Sequence, residues 1–535
     1  MHVRIRIRQI IALVGVIFVV AACGGGPADT SAGSEGPPQR GGSLTVLLSS
    51  GFAGSWPSGL DPATNTTGGA NLSHMNAIFG GLFKLVADDD GSNARVEPEM
   101  AQGYEFADGG KTLKVTIRDG IKFSDGTPYN AEAVAFNWKR DLESTCTCAP
   151  RWPLAENGGI TTEGDNTVVL KFTQPYAAVI NSIVVSNANW IASPTALKKM
   201  GEEQFKIKPV GAGPFKVVSN RLSSELRLTR NENYFKDGQP YLDELIIKSV
   251  GGDQPAYQAI LAGQAHVYEG MVTTPLIEQA NGNAQVTVTQ QPATSPYLVQ
   301  LNTSRAPFDN QKAREAIYYA TNAEAISKGL FKGAYPAAQT FTGPGGLFHQ
   351  DTIPGYRTYD PEKAKQLVKE LGGLTVNLGT IKQYVAEQVM TALQSQWEEV
   401  GIKTTIESHE LNALIGNFNS GKWEAMLQTA GAWDPAAGVG VSFRFDSEAP
   451  FSGVHDKDLD KLLDDAAATI EPEQRGELYA EAGKLISDKA YAPYILAFAP
   501  ANIAAKGVHG PGVDTKIPPV LVNTGILWDG VWMSK

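Results

Sequence analysis

The chain has 535 residues, of which 42% are hydrophobic and 19% charged, with a formal net charge of −11. That length is several times what one hydrophobic core serves, so two or three domains are expected. An acidic balance with no basic run argues against nucleic acid as a partner and against direct adhesion to anionic lipid.

The first residues read as a targeting segment. Arg4, Arg6 and Arg8 precede an apolar run of 13 residues, Ile10 to Ala22. A spanning helix needs about 20 apolar residues, so the run has the length of a secretory h-region, and residues 1–22 are set apart as a signal peptide. Its end, Val20-Ala21-Ala22-Cys23, resembles a bacterial lipobox, which implies lipidation of Cys23 as the new N-terminus. The alternative is ordinary cleavage near Ala22 with an incidental Cys. Residues 23–40 then form the lipidated Cys and a tether of Gly, Ser and Pro with almost no side chain able to enter a core. The 17 residues from Gly24 to Arg40 reach roughly 23 Å as a flexible coil. Without residues 1–22 the body keeps 42 basic and 56 acidic side chains, a formal charge of −14. No later apolar run approaches spanning length.

Beyond the tether, Ser43 to Leu48 reads as a strand and Leu60-Asp61-Pro62 as a loop. Leu113, Val115 and Ile117 alternate with polar residues, the period of a half-buried strand. Asp119-Gly120 turns the chain, Ile121 to Phe123 is expected to pair back, and Asp125-Gly126 turns it again. Asn130 is an expected N-cap for a helix whose apolar face is Val134, Ala135, Trp138 and Leu142. Cys146 and Cys148 flank Thr147. In an exported protein a local disulfide is expected, with free thiols or half of a metal site as alternatives. No His or further Cys lies nearby to complete a tetrahedral site, and no two of the seven His stand at i, i+4 spacing, so neither metal nor cofactor is expected. Another turn at Asp165-Asn166 leads into a strand from Thr167 to Phe172.

The C-terminal half alternates strand and helix. Asp360, Pro361 and Gly372 mark the cap, first turn and end of one helix. Strands are expected over 374–379, 402–408 and 424–429. The helices between them run over about 383–400, with Val389, Met390, Leu393 and Trp397 on one face, and over 411–418. That β-α-β-α-β order is the mark of a parallel sheet flanked by helices. Ligands of such sheets sit at the carboxyl ends of the strands, which directs attention to the loop from Ala430 to Pro435.

Several segments together carry a family resemblance. They are Val96 to Ala101 (VEPEMA), Ile117 to Pro128 (IRDGIKFSDGTP), Gly211 to Phe215 (GAGPF), Asn231 to Tyr234, Pro240 to Glu244 (PYLDE), Leu301-Asn302, Pro307-Phe308 and Arg314 to Ile317. In this order the chain, from about Gly42 to the C-terminus, resembles the large extracellular solute-binding proteins of ABC importers, family 5 (cluster C), the group that holds the oligopeptide- and dipeptide-binding proteins. The resemblance implies an α/β fold of two lobes, periplasmic-binding-protein-like (class II), joined by paired crossover strands, with an extra α+β domain. By that resemblance the first lobe takes residues 41–72, 208–295 and 493–535, the extra domain 73–207, and the second lobe 296–492.

The resemblance also implies a function without catalysis: a membrane-anchored, monomeric receptor outside the cell membrane that captures peptides between the lobes and delivers them to a transporter permease. Extended peptides bind such clefts like an added strand, main-chain hydrogen bonds giving affinity independent of sequence. The peptide's α-amino group is met by a carboxylate after a second-lobe strand. Asp434 is the one acid in that loop and is the expected cation anchor, with Trp433 as a stacking wall and Gly431 allowing close approach. Asp434 also precedes Pro435, so a plain Asx-type turn is the alternative. Tyr297 and Asn302, near the expected hinge, are further candidates that are more often structural. An oligosaccharide, opine or metal chelate is the alternative ligand, and a surface hydrolase the alternative class.

No catalytic motif supports the hydrolase. Gly416 to Lys422 looks like a phosphate loop, but Trp423 replaces the Ser or Thr it needs, and helix precedes strand. Asp88 to Gly91 looks like the start of a calcium loop but lacks the later ligands, and reads as a hairpin tip.

Overall fold

In the computed structural model the described residues are 36–535, apart from 145, 147–148, 157, 271, 431–433, 437–443, 450–451, 521–524 and 535. Strand β1 (Ser43–Ser49) is buried at five consecutive positions, the pattern of a strand covered on both faces. The chain then enters a region of antiparallel structure. β2 (Phe83–Val86) and β3 (Arg95–Pro98) form a hairpin whose tip carries Asp88 to Gly91, as expected. β4 (Ala101–Ala107), β5 (Thr112–Ile117), β6 (Ile160–Glu163) and β7 (Thr167–Lys171) make a sheet in the order β4-β5-β7-β6.

The helix Ala131–Leu142 packs beside that sheet. Asn130 caps it, its side chain accepting from Ala133 N at 3.1 Å, and Val134 and Trp138 are wholly buried. Ile121 to Phe123 does not pair back as a strand. Lys122 makes one bridge to Pro128 and Phe123 N donates to Thr127 O. The segment folds on itself because two Asp-Gly turns leave too few residues for a ladder.

β8 (Phe215–Arg221), β9 (Glu225–Arg230), β10 (Glu244–Val250), β11 (Val267–Gly270) and β12 (Val286–Gln290) return to β1. A second sheet is built by β13 (Ser295–Leu301), β14 (Leu374–Ile381), β15 (Ile402–His409), β16 (Ala425–Thr429) and β17 (Tyr494–Phe498), in the order β15-β14-β16-β13-β17. β14 runs parallel to both β15 and β16, the arrangement the alternating pattern predicts. The helix Tyr384–Glu399 covers it with Val389, Met390, Leu393 and Trp397, all fully buried. β18 (Ala501–Ala505) completes the first sheet, of seven strands, as β12-β18-β11-β1-β10-β9-β8. The chain passes between the two large sheets along two short segments, from β12 to β13 and from β17 to β18. Tyr494–Phe498 therefore belongs with the five-stranded sheet, and the return to the first sheet comes at Ala501 rather than at residue 493.

We call the seven-stranded sheet with its helices the first lobe, the four-stranded sheet region the extra domain, and the five-stranded sheet the second lobe. One hydrophobic core runs through first lobe and extra domain, and another lies around the five-stranded sheet of the second lobe, with smaller clusters beside both. Phe52, in the loop after β1, packs against both.

Candidate functional site

β10 and β11 both run parallel to β1, so the carboxyl ends of these three strands lie together. The carboxyl ends of β14 and β15 lie together in the second lobe for the same reason. These two edges face each other. Between them is a cavity of about 700 Å³, lined from one side by Ser50, Phe52 and Asp253 and from the other by Lys382, Tyr384 and Glu410. Helices begin at Asp253 and at Tyr384 beside this space, the second capped by Gln383, whose side chain accepts from Ala386 N at 2.9 Å.

The polar groups of the cavity differ in how committed they are. Asp253 is fixed, accepting from Tyr268 OH at 2.6 Å and Thr273 N at 2.8 Å. Lys382 and Glu410 form a 3.1 Å ion pair with both side chains more than half exposed, which is weak and readily rearranged. Tyr384 is 58% exposed, an unusual state for a large aromatic and one suited to stacking on a solute. A Cβ on Gly51 would lie 3.5 Å from Lys382 O, so the loop after β1 already reaches the second lobe.

A second cavity of about 460 Å³ lies between the extra domain and the second lobe. Arg151, Trp152 and Tyr176 line one side, and Asp446, Glu448 and Asp464 the other. Burial, and then the neighbouring Asp446, raise the Asp464 carboxyl above its usual range. Burial pulls the Arg151 guanidinium down, with Asp446 opposing.

Asp434 stands beside this second cavity in a role other than the expected one. Its side chain has no solvent exposure and pairs with Arg475. Oδ1 accepts from Arg475 at 3.1 Å and from Ala436 N at 2.8 Å, and Oδ2 accepts from Arg475 at 3.2 Å and from Asn181. A carboxylate has about four acceptor positions, and all are taken. The Ala436 contact is the Asx turn that Pro435 made the alternative. In this structure Asp434 is a buried internal counter-ion of Arg475.

Two other candidates also sit in structural surroundings. Tyr297 is buried in β13 against Phe498, with ring centroids 6.1 Å apart, and burial pushes its hydroxyl far above the usual range. Asn302 donates to Trp423 O at 2.9 Å and accepts from Ser304 N at 3.1 Å, so its amide stitches a turn. Gly431, Trp433, Cys23 and Cys148 lie outside the described residues. Cys146 is disulfide-bonded. Sequence reasoning missed Arg475 and Asn181, which stand 41 and 253 positions from Asp434 and share no motif with it.

The model of the bacterial extracellular solute-binding proteins, family 5, matches residues 95–449. The chain belongs to this family. The receptor is 29% identical over 432 residues to the glutathione-binding protein GsiB of Salmonella typhi, covering 77% of this chain and 81% of that one. Its fold matches the periplasmic binding protein DppA of Helicobacter pylori, solved with the peptide STSA, at a TM-score of 0.78 and 19% identity, over 93% of this chain and 99% of that one. AgaA of A. tumefacien R10, solved with agropinic acid, matches at 0.78 and 22% identity, over 92% and 99%. Family-5 proteins are binding receptors rather than enzymes, so this receptor is a solute-binding component of an ABC importer and works outside the cytoplasm. Among the described residues no helix is long and apolar enough to cross a membrane.

Proposed function

We propose that the receptor captures a short peptide or peptide-like solute between its lobes and delivers it to the permease of its importer. In this reading it acts as a monomer, held at the outer face of the cell membrane by lipid on Cys23. The observation that carries the reading is the facing of two sets of strand carboxyl ends across one cavity of about 700 Å³. Open α/β sheets bind ligands at such edges, and two helix starts beside an exposed aromatic provide both polar and stacking contacts. The glutathione bound by GsiB and the peptide bound by DppA are solutes of fitting chemistry.

A non-peptide solute such as an opine is the second reading, and one observation favours it: Asp434 is already neutralised by Arg475. Thermal unfolding of the receptor against glutathione, di- to octapeptides, opines, oligosaccharides and metal chelates separates the two. A ligand of the folded state adds about 2.7 kcal/mol at one hundred times Kd. Stabilisation by glutathione or peptides is the expected result. Stabilisation only by opines, sugars or chelates would leave the receptor role standing and remove the peptide. The anchor is tested separately, since Cys23→Ala is expected to release the protein from membranes.

A further inference from the structure

The contacts around Asp434 cross the seam between extra domain and second lobe. Asn181 lies on the helix Val179–Val185 of the extra domain, and donates its Nδ2–H to Asp434 Oδ2 in the second lobe. One turn earlier, Ala178 N donates to Ala467 O at 3.2 Å, a main-chain bond across the same seam. Within the second lobe the Arg475 guanidinium is 6% exposed and lies over the rings of Phe348, at 5.1 Å, and Tyr479, at 5.6 Å. Burial works most strongly against its charge, but Asp434, Tyr479 and Tyr176 together outweigh it, and the guanidinium is held more firmly protonated than usual. A cation arriving at Asp434 would have to displace the Arg475 Nη2 that contacts both carboxylate oxygens, and an Asx turn, and would leave Arg475 buried without its counter-ion.

We propose that Asp434, Arg475 and Asn181 form a latch between extra domain and second lobe, so that the receptor selects solutes bringing no α-ammonium group to Asp434. This rests on the solute-receptor reading and narrows it. Blocked or amine-free termini fit, and a free peptide N-terminus gains nothing there. The latch also shifts the unliganded receptor toward closure, and apparent affinity scales with the closed fraction.

The test uses the full receptor, with calorimetric titration of matched tripeptides carrying free and N-acetylated termini. Acetylation is expected to change Kd by less than twofold, and Asp434→Asn to change both Kd values by the same factor. A tenfold or greater loss on acetylation that disappears in Asp434→Asn would overturn the proposal. If neither form binds, the peptide reading fails, and the latch is judged by small-angle scattering of the unliganded protein. There Asn181→Ala is expected to enlarge the radius of gyration. Asn181→Asp, which sets a like charge against Asp434, is expected to enlarge it further. Unchanged scattering in both variants, with melting temperatures as in the parent, would overturn the latch.

Discussion

At the scale of single residues, the buried polar groups without partners set the receptor's pH behaviour. His74 has no solvent exposure, lies 4.5 Å from the Trp56 ring, and neither ring nitrogen has a hydrogen-bond partner. Burial lowers its pKa from 6.5 to about 3. The unfolded chain therefore binds a proton that the folded chain refuses, and stability is lost as pH falls below 6.5, by about 1.4 kcal/mol per pH unit. His74→Phe is expected to flatten that acid limb, read from urea midpoints between pH 7 and pH 4.5. An unchanged limb would remove His74 as its cause. Asp141 has the opposite sign. Both its oxygens are buried and unpartnered, and burial raises its pKa well above 3.8, with Arg140 opposing and Asp61 adding to the shift. The stability it permits is present below 3.8 and is lost as pH rises. Asp141→Asn is accordingly expected to raise the melting temperature at pH 7, and a lower one would show that the carboxyl has partners in solution.

At the scale of elements, local sequence rules predict well where the chain's own neighbours decide the outcome. Asn130 satisfies an N–H of its own first turn, and the Val389-to-Trp397 face repeats within one helix, so period and cap chemistry reveal both. Asn130→Ala is expected to cost about 1 kcal/mol, the usual value of a cap, measurable as a lower urea midpoint with an unchanged m-value. The parallel order of β14, β15 and β16 was likewise legible, because strands alternating with helices leave few topologies. What local rules do not show depends on distant partners. Ile121 to Phe123 has strand-like composition, yet the two turns around it leave it only a single bridge to Pro128. Asp434 had the right type and loop for an anchor. Its role is fixed instead by Arg475, on the helix Pro472–Asp488, and by Asn181 in the extra domain. No spacing in the sequence links these three. The cavity edges at Lys382, Tyr384 and Glu410 escaped notice for a similar reason: each is an ordinary residue at the end of a well-predicted element.

At the scale of the whole molecule, the architecture makes binding and closure one event. Two short crossovers join the lobes, and Phe52 packs on both cores beside the cavity. A solute between two such surfaces removes water from both and stabilises the closed form only by touching both. Phe52→Ala is expected to destabilise the fold by about 2 kcal/mol, less than a fully buried Phe because the ring is partly exposed. It is also expected to weaken solute binding several-fold, since the wedge that couples the cores is gone. Loss of stability with unaltered affinity would show that Phe52 serves packing alone.

The most direct measurement is calorimetric titration of the receptor with glutathione and short peptides, followed by mass analysis of the solute recovered from the complex. A saturable one-to-one isotherm and a solute returned with unchanged mass are the predicted result. A solute returned cleaved, or no heat with any peptide-like solute, would contradict capture without chemistry in the cleft between the two sheets.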